Sequence, residues 1–311
     1  MSNRVPTRTP RPTSVEEEPP VMTATATRPQ ARSTRDGRAL TTYLVVVAGL
    51  VIPANLLAGA LGANAHATDE APVAAQIALY LQAVIPALAA LAAWGVIKRR
   101  PEWGFRRTPR STLATAWLIG VLAVAAGSVT AWVTGLAPFT SHGLSDAWGG
   151  LPPWLAALAG VLVGVLPWMV LAIGEELGWN SFLTPMLAKR WSRDRTALVV
   201  GVLWAAFHVP LMIFVPGAVP NGVPALWTVA WFAVECIALA YPLVWTRLRT
   251  GSIWPALVLH GTLNAALYLV TGPATRTTDS SGWFVGEGGL ITSIGTVLAV
   301  VATAPLWRKR A

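Results

Sequence analysis

Residues 152–180 read PPWLAALAGVLVGVLPWMVLAIGEELGWN. The part up to Gly174 carries no charge and is as long as the roughly 20 residues a helix needs to cross a bilayer. Two adjacent glutamates then follow, and the apolar pattern resumes through Leu183 and Leu187 toward Ala188. This stretch predicts one membrane-spanning helix, kinked at Pro167. It also predicts that the span has a task, because ionisable groups inside a membrane are costly and seldom idle.

Working outward, seven further apolar runs of similar length appear at about 40–62, 72–97, 112–134, 196–215, 225–245, 253–271 and 288–306. Hydrophobic residues make up 54% of the 311 and charged residues only 12%, against roughly a quarter charged in a soluble domain. The expected fold is all-α: a polytopic membrane bundle of about eight transmembrane helices. Residues 1–38, rich in Arg, Thr, Pro and Glu, cannot bury a core and read as a disordered tail; the transmembrane domain is 39–311.

Charge placement tests this reading. Of 23 basic residues, 22 fall in the tail, in the loops near 98–110, 189–195 and 246–252, and at the C-terminus. The intervening loops hold only Arg276. Such alternation obeys the positive-inside rule, puts both termini in the cytoplasm and describes a multi-pass protein of the cell membrane. It also accounts for the net charge of +9 through contact with membrane lipids, so no nucleic-acid partner is called for. Ala63-Asn64-Ala65 resembles a signal-peptide cleavage site, but the apolar run before it is longer than a signal sequence uses. The single cysteine, Cys236, excludes an internal disulfide and a thiolate metal cluster.

Inside the spans stand Glu175, Glu176, His208, Glu235 and His260, with the amides Asn180 and Asn264. Counted from the basic loops at 1.5 Å per residue, Glu175, His208, His260 and Asn264 lie roughly 13–20 Å deep. Three separate helices thus bring them to one level, which predicts a polar chamber. His260 and Asn264, four residues apart, share a helix face. Glu175 and Glu176 point about 100° apart, so one can serve substrate while the other makes a structural bond. Gly174 and Gly178 allow close helix approach. A carboxylate beside an imidazole can deprotonate water, and a second His with an Asn can stabilise an oxyanion. The same residues leave a metal open, with Glu175, His208 and His260 as its ligands.

The runs Glu175-Glu176-Leu177-Gly178-Trp179-Asn180, Trp204-Ala205-Ala206-Phe207-His208 and His260-Gly261-Thr262-Leu263-Asn264 resemble, in order, the EExxxR, FxxxH and HxxxN motifs of the CAAX protease and bacteriocin-processing family, also called Abi. These are intramembrane proteases similar to the CAAX prenyl endopeptidase. The resemblance covers about 150–271. It implies Glu175 as general base, His208 as a group holding the water, and His260 with Asn264 at the oxyanion. Glu176, Asn180 and Trp204 are supporting positions. It implies no cofactor in the glutamate-dependent form of the mechanism; a divalent metal such as zinc belongs to an older description of the family. Trp204 takes the aromatic position. Asn180 stands where the family has Arg, and cannot supply that charge, although it can donate to Glu176 one turn back.

The function expected is hydrolysis of a peptide bond in a membrane-associated or lipid-attached substrate. The alternatives are a proton- or ion-coupled transporter, since carboxylates and imidazoles also make relays, and a catalytically silent membrane partner or immunity protein. Glu235 matches no motif and reads as a hydrogen-bonded structural group.

Overall fold

The computed structural model describes residues 28–309. Most of the tail expected at 1–38 therefore lies outside the described residues, and Arg28 already opens the first helix. Eight principal helices follow: α1 (Arg28–Ala60), α2 (Val73–Val96), α3 (Arg110–Thr134), α4 (Pro153–Leu187), α5 (Arg193–Phe214), α6 (Ala225–Thr250), α7 (Trp254–Ala266) and α8 (Leu290–Ala302).

The chain is a polytopic membrane protein built as a helical bundle. Six of the helices, α1 to α6, are long and apolar enough to cross a membrane. Of the two remaining runs, the first is helical over its expected length and the second is shorter than expected. α7 has 13 residues before its backbone widens into a π-helical turn, Leu267–Thr271. α8 has 13 residues and ends at Thr303, whose hydroxyl folds back on the Ala299 carbonyl at 2.7 Å.

Local sequence sets the helix limits. Pro109 precedes α3 and Gly135 closes it in the left-handed conformation at φ +76°, a position where a residue without Cβ is unstrained. Ser192 caps α5 by accepting from the Arg195 N–H at 3.3 Å. α4 is interrupted at Val163–Gly164. Val163 is the residue four before Pro167, whose missing N–H would have reached that carbonyl. The helix is thus interrupted one turn ahead of the proline where a kink was expected.

The arrangement that matters most surrounds α4. It packs against α2 on one side and α7 on the other. A Cβ on Gly174 would strike the backbone of Ala83 and Val84, and one on Gly178 would strike Pro86. These two glycines therefore let α4 and α2 touch backbone to backbone, as small residues do in membrane bundles. α5 pairs along its length with α6, and α3 lies between α7 and α8.

Candidate active site

α4 does not continue as a regular helix through its glutamates. Directly after Glu176 the backbone widens into a π-helical turn, Leu177–Leu183. Such turns lengthen the hydrogen-bond step and recur at functional sites. Within this turn the Asn180 carbonyl accepts from Arg247 Nε on α6 at 2.6 Å.

The two carboxylates are both buried, Glu175 at 8% and Glu176 at 1% exposure, and they look in different directions. Glu176 Oε1 meets His260 Nδ1 of α7 at 2.9 Å, and its Oε2 accepts from Asn180 Nδ2 at 2.5 Å. Glu175 Oε2 accepts from Trp204 Nε1 of α5 at 2.9 Å and more distantly from Trp179 Nε1 at 3.4 Å. Three helices therefore converge on adjacent carboxylates. Trp204 also lies against the His260 ring, with centroids 5.3 Å apart, so the two carboxylate clusters share a wall.

His208 is half-buried one turn beyond Trp204. Its Nδ1 is 2.9 Å from the Trp204 carbonyl. A carbonyl can only accept, so Nδ1 carries the proton, and Nε2 is the nitrogen left for a ligand. Phe207 and Phe232 hold the ring edge-on, at 5.1 and 5.0 Å between centroids. In the same way the Glu176 bond engages Nδ1 of His260 and leaves Nε2. Asn264 is half-buried one turn further along α7 and its amide has no hydrogen-bond partner among the described residues.

The structure thus joins Glu176 directly to His260 and Asn180, and Glu175 to Trp204. It makes no direct bond between Glu175 and His208. The i, i+4 reading of Asn180 against Glu176 agrees with the geometry: the amide donates to Glu176 Oε2. Among the described residues, no three His, Cys, Asp or Glu side chains converge so as to hold a metal ion. Glu175, His208 and His260 do not form such a group.

Residues 153–266 match the family described as Rce1-like, type II CAAX prenyl endopeptidase Rce1-like. Through this segment, a little over a third of the chain, the protein is similar to the CAAX protease family. No curated protein matches the chain. The matched segment contains Glu175, Glu176, Asn180, Trp204, His208, His260 and Asn264.

Three participants in the surroundings escaped the sequence reading. Trp179 donates to Glu175, and nothing in a chain with 16 tryptophans singles it out. Arg247 looked like an ordinary loop cation, yet it is 8% exposed and bonded to Asn180. Tyr43, fully buried on α1 outside the matched segment, stacks on Phe182 and meets Trp179 edge-on. The last two positions become visible only when distant helices are brought together.

Proposed function

We propose that this chain is an intramembrane endopeptidase. It cleaves a membrane-associated or lipid-attached peptide whose scissile bond enters between α4, α5 and α7 from the cytoplasmic side. The observation that carries the reading is the convergence of Glu175, Glu176, His208 and His260 from three helices, with one side of each imidazole fixed and the other left for a ligand.

In this reading Glu175 Oε1, the oxygen not given to the indoles, takes a proton from water. His208 Nε2, an acceptor because Nδ1 carries the ring proton, holds the second hydrogen of that water. The oxygen attacks the carbonyl carbon of the scissile bond. His260, when protonated at Nε2, and the Asn264 amide donate to the oxyanion. Glu175 then returns its proton to the departing amine. Glu176 fixes the His260 ring through Nδ1, and Asn180 holds Glu176. The departure from arginine at this position therefore leaves Glu176 hydrogen-bonded, with a neutral donor in place of a charged one.

In this reading the protein lies in the cell membrane with both termini cytoplasmic; the alternation of its basic loops supports that orientation. The test compares peptide termini in the membrane proteome of cells carrying the wild-type chain or Glu175→Ala at matched expression. Termini that vanish with Glu175→Ala establish proteolysis and identify the substrate. Identical termini under several growth conditions would overturn it. Proton flux in proteoliposomes that is abolished by the same substitution would then favour a relay. Unchanged cellular function would favour a silent partner.

A further inference from the structure

The loop between α2 and α3 lines a cavity of about 470 Å³ at the basic end of the bundle, with Ser181 and Phe182 of α4 also in its wall. Its charged lining is Arg99, Arg100, Glu102, Arg106, Lys189 and Arg247, five cations and one acid. Lys189 is already paired with Asp36 at 2.9 Å. Arg106 and Arg247 are different. Their Nη1 atoms both lie within 4 Å of the point where a Cβ would stand on Gly251. Two guanidinium groups thus converge, and neither has a carboxylate at ion-pair distance among the described residues.

Convergence of like charges is costly, most of all for a group as buried as Arg247. The surroundings nevertheless hold it in place. Arg247 is anchored by Nε on the Asn180 carbonyl. Gly104, at φ +79°, lets the loop backbone pass where a Cβ would stand 2.8 Å from Arg247 Nη2. Three hydrogen bonds tie the loop down: Ser181 Oγ donates to the Trp103 carbonyl at 2.5 Å, Ser252 Oγ to the Arg106 carbonyl at 2.7 Å, and the Ile253 N–H to the Gly104 carbonyl at 2.8 Å. An anchored guanidinium with a second, exposed one beside it, both lining an open cavity, matches the oxygens of a phosphate.

The same loop shows where that phosphate comes from. Phe105 and Trp254, 49% and 39% exposed, lie against each other with centroids 5.7 Å apart. Exposed aromatic pairs beside basic residues mark the headgroup layer of a membrane. The geometry points to a binding site for the phosphate of an anionic phospholipid headgroup, held between Arg106 and Arg247 under the α2–α3 loop. The inference goes beyond proteolysis and does not depend on it. It does place the lipid against Arg247, which is two hydrogen bonds from Glu176 through the Asn180 carbonyl and the Asn180 side chain.

The experiment uses the full chain in nanodiscs of equal phosphatidylglycerol and phosphatidylcholine, extracted into detergent, with retained lipids identified by native mass spectrometry. Phosphatidylglycerol is expected to be retained over phosphatidylcholine by at least about tenfold. Arg106→Gln, at an exposed position where folding is not at stake, should bring the preference to within about twofold of parity. Arg308→Gln removes an exposed cation elsewhere at the basic end and should leave the preference intact. Equal retention of the two lipids by the wild type, or equal loss in both variants, overturns the site. If inorganic phosphate alone displaces the lipid and stabilises the protein as well as phosphatidylglycerol does, the ligand is a soluble phosphate and the lipid assignment fails.

Discussion

Glu175 and Glu176 on α4 and Glu235 on α6 are all buried carboxylates, at 8%, 1% and 7% exposure, yet their partners differ in kind. Glu235 Oε1 accepts from the Ser293 hydroxyl at 2.7 Å and from the Gly288 N–H at 3.2 Å. Those donors come from α8 and the loop before it, and they tie that end of the chain onto α6. The α4 pair takes its donors from indoles, an imidazole and a side-chain amide. An imidazole bonded through one nitrogen still has a second, and an indole N–H leaves the far carboxylate oxygen open. One site uses its carboxylate to close a contact between helices. The other uses two carboxylates to orient groups that retain bonding capacity, which is what a reacting site requires.

The sharpest way to break this comparison is Glu175→Gln. The amide oxygen still accepts from Trp204 and Trp179, so packing and melting temperature should stay close to wild type. Proton abstraction is lost, and peptide hydrolysis should fall by at least about 10³-fold. Turnover of a quenched-fluorescent lipidated peptide in proteoliposomes measures it. Activity within tenfold of wild type would remove Glu175 from the role of base.

Next in size is Asn264→Ala. Its amide makes no bond among the described residues, so truncation should cost little stability. If it donates to the oxyanion, kcat should fall about 10²-fold or more with KM nearly unchanged. A rise in KM with kcat preserved would make it a substrate-binding amide instead.

How much of this was legible beforehand follows from the same contrast. The apolar runs and alternating basic loops carried the fold class, because hydropathy over about 20 residues reports the membrane directly. The short α8 was overestimated: the residues beside it are also apolar, and hydropathy cannot tell a turn from a helix. At the site, the i, i+4 bond of Asn180 to Glu176 was readable since it lies within one helix. The choice of partner for His260 was not. Adjacent glutamates differ by about 100° in direction, and only the placement of α7 decides that Glu176 receives the imidazole.

A smaller effect is expected for Trp204→Phe, which keeps the aromatic wall beside His260 and removes the indole donor to Glu175. One hydrogen bond to a charged group contributes about 1.5–3 kcal/mol, but Trp179 and water can replace part of it. Activity should fall by roughly tenfold, with the fold intact by circular dichroism. A loss as large as that of Glu175→Gln would mean that Trp204 contacts the substrate itself.

The smallest effect belongs to Glu235→Gln, and it tests the comparison from the structural side. The glutamine oxygen can accept from Ser293 and Gly288 as the carboxylate does, and the substitution preserves volume. Hydrolysis should stay within about twofold of wild type, because no group with spare bonding capacity depends on Glu235. Glu235→Ala, in contrast, leaves the Gly288 N–H without its acceptor inside the bundle and should destabilise by about 1–3 kcal/mol. Melting of the two variants in the same detergent separates the cases. If Glu235→Gln abolished hydrolysis without lowering the melting temperature, Glu235 would belong with the α4 pair, and donors drawn from a neighbouring helix and loop would no longer identify a structural carboxylate in this bundle.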